Sequence, residues 1–421
     1  APKVSFKEAV IKGIAPDKGL YFPERIKKLH SDIFKNIDNY SNNELAFLLI
    51  EQFVGEDIPN QDLKLIIEDT LSFEFPLVPI EKDIYSLELF HGPTMAFKDV
   101  GGRFMARCLS YFNKEQTTEV TVLVATSGDT GGAVASGFLG VKGVNVVILY
   151  PSGKVSEVQE KQLTTMGQNI KALEVDGTFD DCQAMVKNAF LDQEITDKIQ
   201  LTSANSINVA RWLPQMFYFA FAYKQLSDKS KKLIFSTPSG NFGNICAGFM
   251  ARQLGLPIDH FVAATNANRV VPNYMSSGTY EPMKSVATIS NAMDVGDPSN
   301  FIRIREIFKD KFEQLKKYLS SFSYSDYQTR EAMKEVYANN GYIMDPHGAV
   351  GYLGLKEYLK DQRKAQGIFM ETAHPVKFLD VVEPVIKKRI EYPSQIEAVI
   401  HKEKKATFIS SYEELKSFLT T

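Results

Sequence analysis

The sequence predicts an α/β fold: largely parallel sheets flanked by helices, preceded by a mostly helical N-terminal region. Three observations carry this. Val120-Thr121-Val122-Leu123-Val124-Ala125 and its later counterparts are continuous β-rich runs without alternation, the pattern of strands buried on both faces. Helical patterns separate these runs at a spacing that argues for parallel strands joined by right-handed crossovers. The first eighty residues read instead as helices and loops with little strand.

The elements follow in chain order. Residues 3–10 are a short helical pattern, and Gly19-Leu20-Tyr21-Phe22-Pro23 is an extended segment ended by proline. Residues 42–53 and 61–71 carry apolar side chains at helical spacing. Phe75-Pro76-Leu77-Val78-Pro79 reads as a linker, and residues 85–90 as a strand. Strands are predicted at 120–125, 144–150 and 170–175, with helical patterns at 131–139, 155–166 and 179–191. A long helical pattern at 207–226 closes this block. The second block opens with a strand at 232–236, a glycine loop and a helix from about residue 244 to 254, then a strand at 261–265. Residues 303–317 read as one solvated helix with a core face, and 341–344 and 367–372 as short strands. The division is therefore an N-terminal domain over 1–80, a first α/β domain over 81–226, and a second over 227–421 with the C-terminal segment.

Composition bounds the function. The 421 residues suffice for two or three domains, and 44% hydrophobic against 24% charged residues describes a well-cored soluble protein. The formal net charge is −3, with basic residues spread along the chain and no aromatic-basic stripe, which argues against nucleic acid as a partner. No apolar stretch reaches the ~18 residues of a transmembrane helix, so no membrane association is expected. The start, Ala1-Pro2-Lys3-Val4-Ser5-Phe6, has no apolar signal core; it also lacks Met, so the chain is expected to begin after the true start. Cys108, Cys182 and Cys246 are far apart and match no metal spacing; an odd, sparse count fits a reducing cytoplasm. Cys108 and Cys246 read as small core hydrophobes. The six histidines form no i,i+4 pair and no His-Glu-x-x-His, so no metal site is expected.

Three loops, each between a strand and a helix, carry chemistry. The first is His91-Gly92-Pro93-Thr94-Met95-Ala96-Phe97-Lys98-Asp99, followed by Gly101-Gly102 and a helical pattern. Open α/β sheets bind ligands at such junctions, and a partly desolvated lysine there can form a Schiff base with an aldehyde. The alternative is a structural lysine paired with Asp99. The second loop is Ala125-Thr126-Ser127-Gly128-Asp129-Thr130-Gly131-Gly132, whose hydroxyls and backbone amides at a helix start suit a carboxylate. Its alternative is a helix cap with glycine turn residues. The third is Thr237-Pro238-Ser239-Gly240-Asn241-Phe242-Gly243-Asn244, where glycines admit a phosphate to a helix N-terminus. No Walker lysine follows it, and the chain contains no Gly-x-Gly-x-x-Gly and no Gly-x-Ser-x-Gly. A lysine nucleophile, a carboxylate site and a phosphate cradle are together what pyridoxal 5'-phosphate requires.

With these motifs, and with Asn-Ser-Ile-Asn at 205–208 and Thr-Ala-His-Pro-Val-Lys-Phe at 372–378, the chain resembles the threonine synthase family, in the tryptophan-synthase-β-like group of pyridoxal phosphate enzymes (fold type II). The resemblance runs from about Val4 to near Phe378, and the last forty or so residues look unspecific. It implies two open, largely parallel sheet domains with the cofactor between them, and conversion of O-phospho-L-homoserine and water to L-threonine and phosphate. It implies that Lys98 holds the cofactor as a Schiff base and then shuttles protons at the α and β carbons. Ser239, Gly240, Asn241, Phe242, Gly243 and Asn244 would bind the cofactor, and Thr372 would face its ring nitrogen. Ser127, Gly128, Asp129 and Thr130 would bind the substrate carboxylate. Asn205, Ser206 and Arg211 would bind the substrate phosphate, with Asn244 as a possible fourth group. Arg211 would offer a planar fork; read without the resemblance, it is a surface helix arginine. Lys154, at a helix start, is a further substrate candidate or a solvated cap residue.

One position departs from the pattern. Related enzymes often carry asparagine where this chain has Asp129, and an ionised carboxylate can only accept a hydrogen bond, so the group meeting the cofactor's ring oxygen stays open. His91 and His374 lie in the motifs and are assigned no chemistry. Two other readings compete: a serine/threonine dehydratase or cysteine-synthase-like enzyme, and a non-catalytic relative that binds a phosphorylated ligand.

Overall fold

The computed structural model describes residues 2–114 and 119–421, so Ala1 of the opening segment lies outside the described residues. Among the described residues there are eleven strands: β1 (Leu77–Glu81), β2 (Ile84–Glu88), β3 (Val120–Ala125), β4 (Val144–Pro151), β5 (Ile170–Val175), β6 (Gln200–Ser203), β7 (Lys232–Pro238), β8 (His260–Thr265), β9 (Leu319–Ser323), β10 (Ala365–Glu371) and β11 (Thr407–Ile409). They form two sheets, a five-stranded one ordered β11-β5-β4-β3-β6 and a six-stranded one ordered β1-β2-β10-β7-β8-β9. Every pairing is parallel except the β1–β2 hairpin. β3, β8 and β10 are buried along their whole length, as unalternating apolar runs require.

The sheets do not divide where the sequence reading divides the chain. β1 and β2 lie N-terminal to the smaller sheet's strands, yet β2 pairs with β10 in the larger one. β11, near the C-terminus, pairs with β5 in the smaller one. Chain order cannot reveal such exchanges, because parallel partners are joined by long connections.

The N-terminal helices Phe6–Lys12, Asn42–Val54 and Asn60–Thr70 pack onto one continuous core with both sheets. At its centre runs the helix Met216–Gln225, in which Met216 through Tyr223 are all buried. A helix apolar on all sides belongs in such a place.

Several elements differ from the sequence reading for identifiable reasons. The single helix expected over 207–226 is three pieces: Val209–Trp212, a 3-10 turn at Leu213–Gln215 containing Pro214, and Met216–Gln225. Proline removes an intrahelical donor and forces this break. Residues 303–317 are two helices, Phe301–Ile307 and Phe312–Lys316, parted by Lys309 and Asp310 at φ 51° and 53°. Residues 341–344 are not a strand: Gly341, at φ 71°, ends the helix Asp326–Asn340 and the chain leads into the helix Pro346–Leu359. The expected linker at 75–79 contains the start of β1, and residues 19–23 join no sheet. Among the described residues no helix is long and apolar enough to cross a membrane, and no cluster of metal-ligating side chains occurs.

Candidate active site

The ends of β3, β7 and β10 open into one cleft with about 840 Å3 of empty space. Lys98, Ser127, Thr130, Asn205, Ser206, Arg211, Gly240, Asn241, Phe242, Gly243, Asn244 and Thr372 all line it. All three predicted loops therefore meet.

Lys98 is the first residue of the helix Lys98–Phe112, and the loop before it is tied to the end of β10. Phe97 N–H donates to Thr372 O at 2.9 Å, His374 N–H donates to Met95 O at 3.0 Å, and Ala96 bridges Ala373. The Lys98 amine faces the cleft. Burial pushes its pKa down; the Asp129 carboxylate opposes this, while the Lys377 and Arg211 cations add to it. Asp99 is not its partner: that carboxylate accepts from Thr94 N–H at 2.9 Å and from the Thr94 hydroxyl. The reading of Lys98 as a structural ion pair with Asp99 is thereby removed.

The second loop splits in two. Ser127 and Thr130 line the cleft. Gly128 and Asp129 do not: Asp129 is buried, paired with Lys377 Nζ at 2.7 Å and accepting from Gln159 Nε2 at 3.0 Å. Burial pushes the Asp129 carboxyl up, but Lys377, Lys98 and these hydrogen bonds outweigh it and hold it well below the usual carboxylate range. The helix start is served by Thr126, whose hydroxyl accepts from Gly128 N–H at 2.9 Å and Gly131 N–H at 2.8 Å, so Ser127 is left free of capping.

The third loop leads into the helix Gly243–Gln253, with Phe242 in the left-handed region at φ 61°. Asn244 braces it from within: its Oδ1 accepts from the Ser239 hydroxyl and from Ile245 N–H, both at 2.9 Å, and its Nδ2 donates to Pro238 O at 2.9 Å. Ser239 thus shapes the loop and is not among the lining residues. Asn241 accepts from the Ser299 hydroxyl at 3.3 Å.

Arg211 is buried, not a surface residue, and burial lowers its pKa to about 10. One guanidinium nitrogen donates to Ala204 O, while Nε has no protein partner. Asn205 is anchored by Nδ2 donating to Ala125 O at 3.0 Å, and the Ser206 hydroxyl accepts from Asn300 Nδ2 at 3.1 Å. Lys154 is not brought to the site: it is exposed and outside the lining. His91 and His374 also lie outside it; His91 meets Glu88 at 2.7 Å, and burial lowers His374 to about 4.

Sequence reasoning missed Phe179, Gln215, the segment Asn291 to Val295 and His347, which also line the cleft, and Lys377 behind it. For His347 a signal existed. Asp345-Pro346-His347 is a helix-start pattern, with Asp345 as the cap and proline in the first turn. The irregular segment 279–300 offered none.

Comparison with known proteins accords with this geometry. Residues 76–369 match the family described as pyridoxal-phosphate dependent enzyme, residues 1–71 threonine synthase N terminus, and residues 348–419 threonine synthase, C-terminal. The threonine synthase of Serratia marcescens is 43% identical over 424 residues, covering 99% of this chain and 96% of its own length. The chain belongs to the threonine synthase family of pyridoxal-phosphate dependent enzymes. The crystal structure of threonine synthase from Escherichia coli superposes with a TM-score of 0.93 at 39% identity, covering 99% of this chain and 96% of that one. The pyridoxal-phosphate-bound threonine synthase of Brucella melitensis gives 0.92 at 32% identity, covering 100% and 97%. The two-sheet architecture is accordingly that of the tryptophan-synthase-β-like, fold type II group. The C-terminal segment, unspecific when read as sequence, falls within a threonine synthase match.

The residues of the cleft fit the threonine synthase cofactor. Lys98 supplies an amine, and the 239–244 loop supplies a glycine turn at a helix N-terminus. Arg211 Nε, Thr237 Oγ1 and Asn291 Oδ1 are buried at or beside the cleft with no protein partner, as atoms awaiting a polar ligand are.

Proposed function

We propose that this chain converts O-phospho-L-homoserine and water to L-threonine and phosphate. The observation that carries the reading is the presence of two anion-suited groups in one cleft with Lys98: the 239–244 loop, and the trio Asn205, Ser206 and Arg211. A substrate that is itself a phosphate ester needs the second group; a β-eliminating enzyme acting on serine does not. The dehydratase or cysteine-synthase-like alternative is further disfavoured by the matches to threonine synthase N terminus and C-terminal models.

Bound pyridoxal phosphate supplies an electron sink that acidifies the carbons of an attached amino acid. The chain's own groups do the rest. Gly240 through Asn244 hold the cofactor phosphate, assisted by the helix dipole. Thr372 lines the cleft where it would face the ring nitrogen, and a hydroxyl there would not keep that nitrogen protonated as a carboxylate would. Ser127 and Thr130 orient the substrate carboxylate. Asn205, Ser206 and Arg211 hold the ester phosphate until the C–O bond breaks. Lys98, whose pKa is lowered by burial, moves protons at the α and β carbons. Phe179, Met293 and Val295 line the cleft beside these groups and limit water. Three buried free cysteines accord with a cytoplasmic setting.

The test is turnover by the holoenzyme with phosphohomoserine and, separately, serine, assaying threonine, phosphate and ketoacid. Stoichiometric threonine and phosphate are expected. Ketoacid from serine without threonine from phosphohomoserine would replace this reading with the dehydratase. Borohydride trapping and peptide mapping should place the cofactor on Lys98.

A further inference from the structure

Behind the cleft lies a chain of buried groups that the chemistry above does not use. Asp345 and Glu371 are both fully buried, and His347 nearly so. The Asp345 carboxylate meets His347 Nδ1 at 2.5 Å and accepts from His347 N–H at 2.7 Å. Glu371 Oε1 accepts from Asp345 N–H at 2.5 Å, while Oε2 has no conventional donor. The far side of the imidazole does something unusual for a histidine beside a ligand cleft: Nε2 accepts from Ala292 N–H, at 3.2 Å. Ala292 is the residue whose carbonyl abuts Gly240, where an added Cβ would come within 2.8 Å of it. The neighbouring Asp294 is held separately, by Asn266 Nδ2 at 2.8 Å and the Thr288 hydroxyl at 2.7 Å.

We propose that His347, Asp345 and Glu371 form a positioning relay that presses the 291–295 segment against the cofactor-phosphate loop, with His347 neutral and Glu371 a neutral acid. Each protonation state follows from the geometry. An imidazole whose Nε2 accepts from an amide must carry its single proton on Nδ1, where the Asp345 carboxylate receives it. Two carboxyl groups that share a dry interior with no cation between them cannot both ionise. Asp345 is committed as acceptor to His347 and to the helix cap, so the proton resides on Glu371 and bonds Asp345. Desolvation and the Asp345 charge independently raise Glu371 well above the usual carboxyl range. Gly348 is part of the device: an added Cβ there would stand 1.6 Å from Glu371 Oε2, so only glycine lets the acid approach. His347 borders the cleft while Asp345 and Glu371 stand outside its lining, and the relay rests on the cofactor-loop reading above, whichever phosphate ester the enzyme uses.

The experiment titrates pyridoxal phosphate into the apo form of the full chain and follows the cofactor absorbance and the thermal midpoint of each apoprotein. His347→Ala should weaken cofactor binding at least about tenfold, the loss of one hydrogen bond held in a dry site. His347→Gln, whose amide oxygen can accept from Ala292 while its nitrogen donates to Asp345, should recover most of that loss. Glu371→Gln should leave the cofactor affinity and the midpoint unchanged, because an amide replaces a neutral acid. In 15N-histidine spectra of the unsubstituted protein, the signal missing from His347→Gln should report a neutral ring protonated on Nδ1. A histidinium or an Nε2–H ring at neutral pH would overturn the proposal. So would a Glu371→Gln protein as impaired as His347→Ala, or a glutamine that rescues nothing.

Discussion

Lys98 and Lys377 are two amines beside one carboxylate, and their surroundings give them different tasks. Lys377 is fully buried, paired with Asp129 at 2.7 Å and donating to Thr94 O at 2.9 Å, so its charge is spent on structure. Lys98 is left facing the cleft with a lowered pKa, free for chemistry. Replacing Lys377 with methionine should destabilise the protein by about 3–5 kcal/mol in denaturant unfolding, since Asp129 would remain buried without its ion-pair partner. Adding Asp129→Asn should return part of that loss. Asp129's folded pKa lies below its unfolded one, so its contribution is whole above about pH 4 and disappears as pH falls through the folded value. Arg211→Ala should cut kcat/KM for phosphohomoserine roughly 10- to 150-fold, about 1.5–3 kcal/mol, while the cofactor absorbance persists. Equal loss of cofactor and substrate binding would make Arg211 structural.

Among the elements, the glycine loop after β7 tolerates little change. At Gly240 an added Cβ would come within 2.8 Å of both Ala292 O and Met293 Cα, which are backbone and cannot swing aside. Gly240→Ala should weaken pyridoxal phosphate binding by about 1–3 kcal/mol in equilibrium dialysis, with the fold retained. This loop and the Lys98 loop were legible because strand, glycine and helix follow one another within a dozen residues. β3 and β5 have the bounds read from the sequence, since an apolar run with polar flanks defines both ends. β9 and β11 were missed because they are short and carry little apolar signal: β9 is half-buried and serine-rich with only Leu319 fully buried, and β11 is mostly exposed with only Ile409 buried. The Pro214 break was available in the sequence and overridden by the helical spacing around it.

Across the whole molecule, the chain ends act on distant parts. β11 and the helix Tyr412–Thr420 bring Ile409, Leu415 and Leu419 into the same cluster as Leu173, Val175 and Cys182. Lys404 joins Glu160 and Glu174, each at 2.7 Å. Removing residues 401–421 would turn β5 into an uncovered edge strand. Hydrogen exchange should then speed up in β5 and the helix Phe179–Leu191 and stay unchanged in β7 and β8. Uniform acceleration in both sheets would show that they unfold as one unit.

By itself the sequence determined the strand–loop–helix units, the lysine and the two loops that meet in the cleft, and the family, because each is written in residues close together along the chain. Tertiary structure alone decided that Asp129 turns inward to Lys377, that Lys154 stays outside, and that β2 leaves its neighbours for β10. It also decided that His347 stands beside Ala292. These are matters of which distant surfaces meet in a desolvated space. There the energy of a charge or a hydrogen bond depends on partners that no local pattern names.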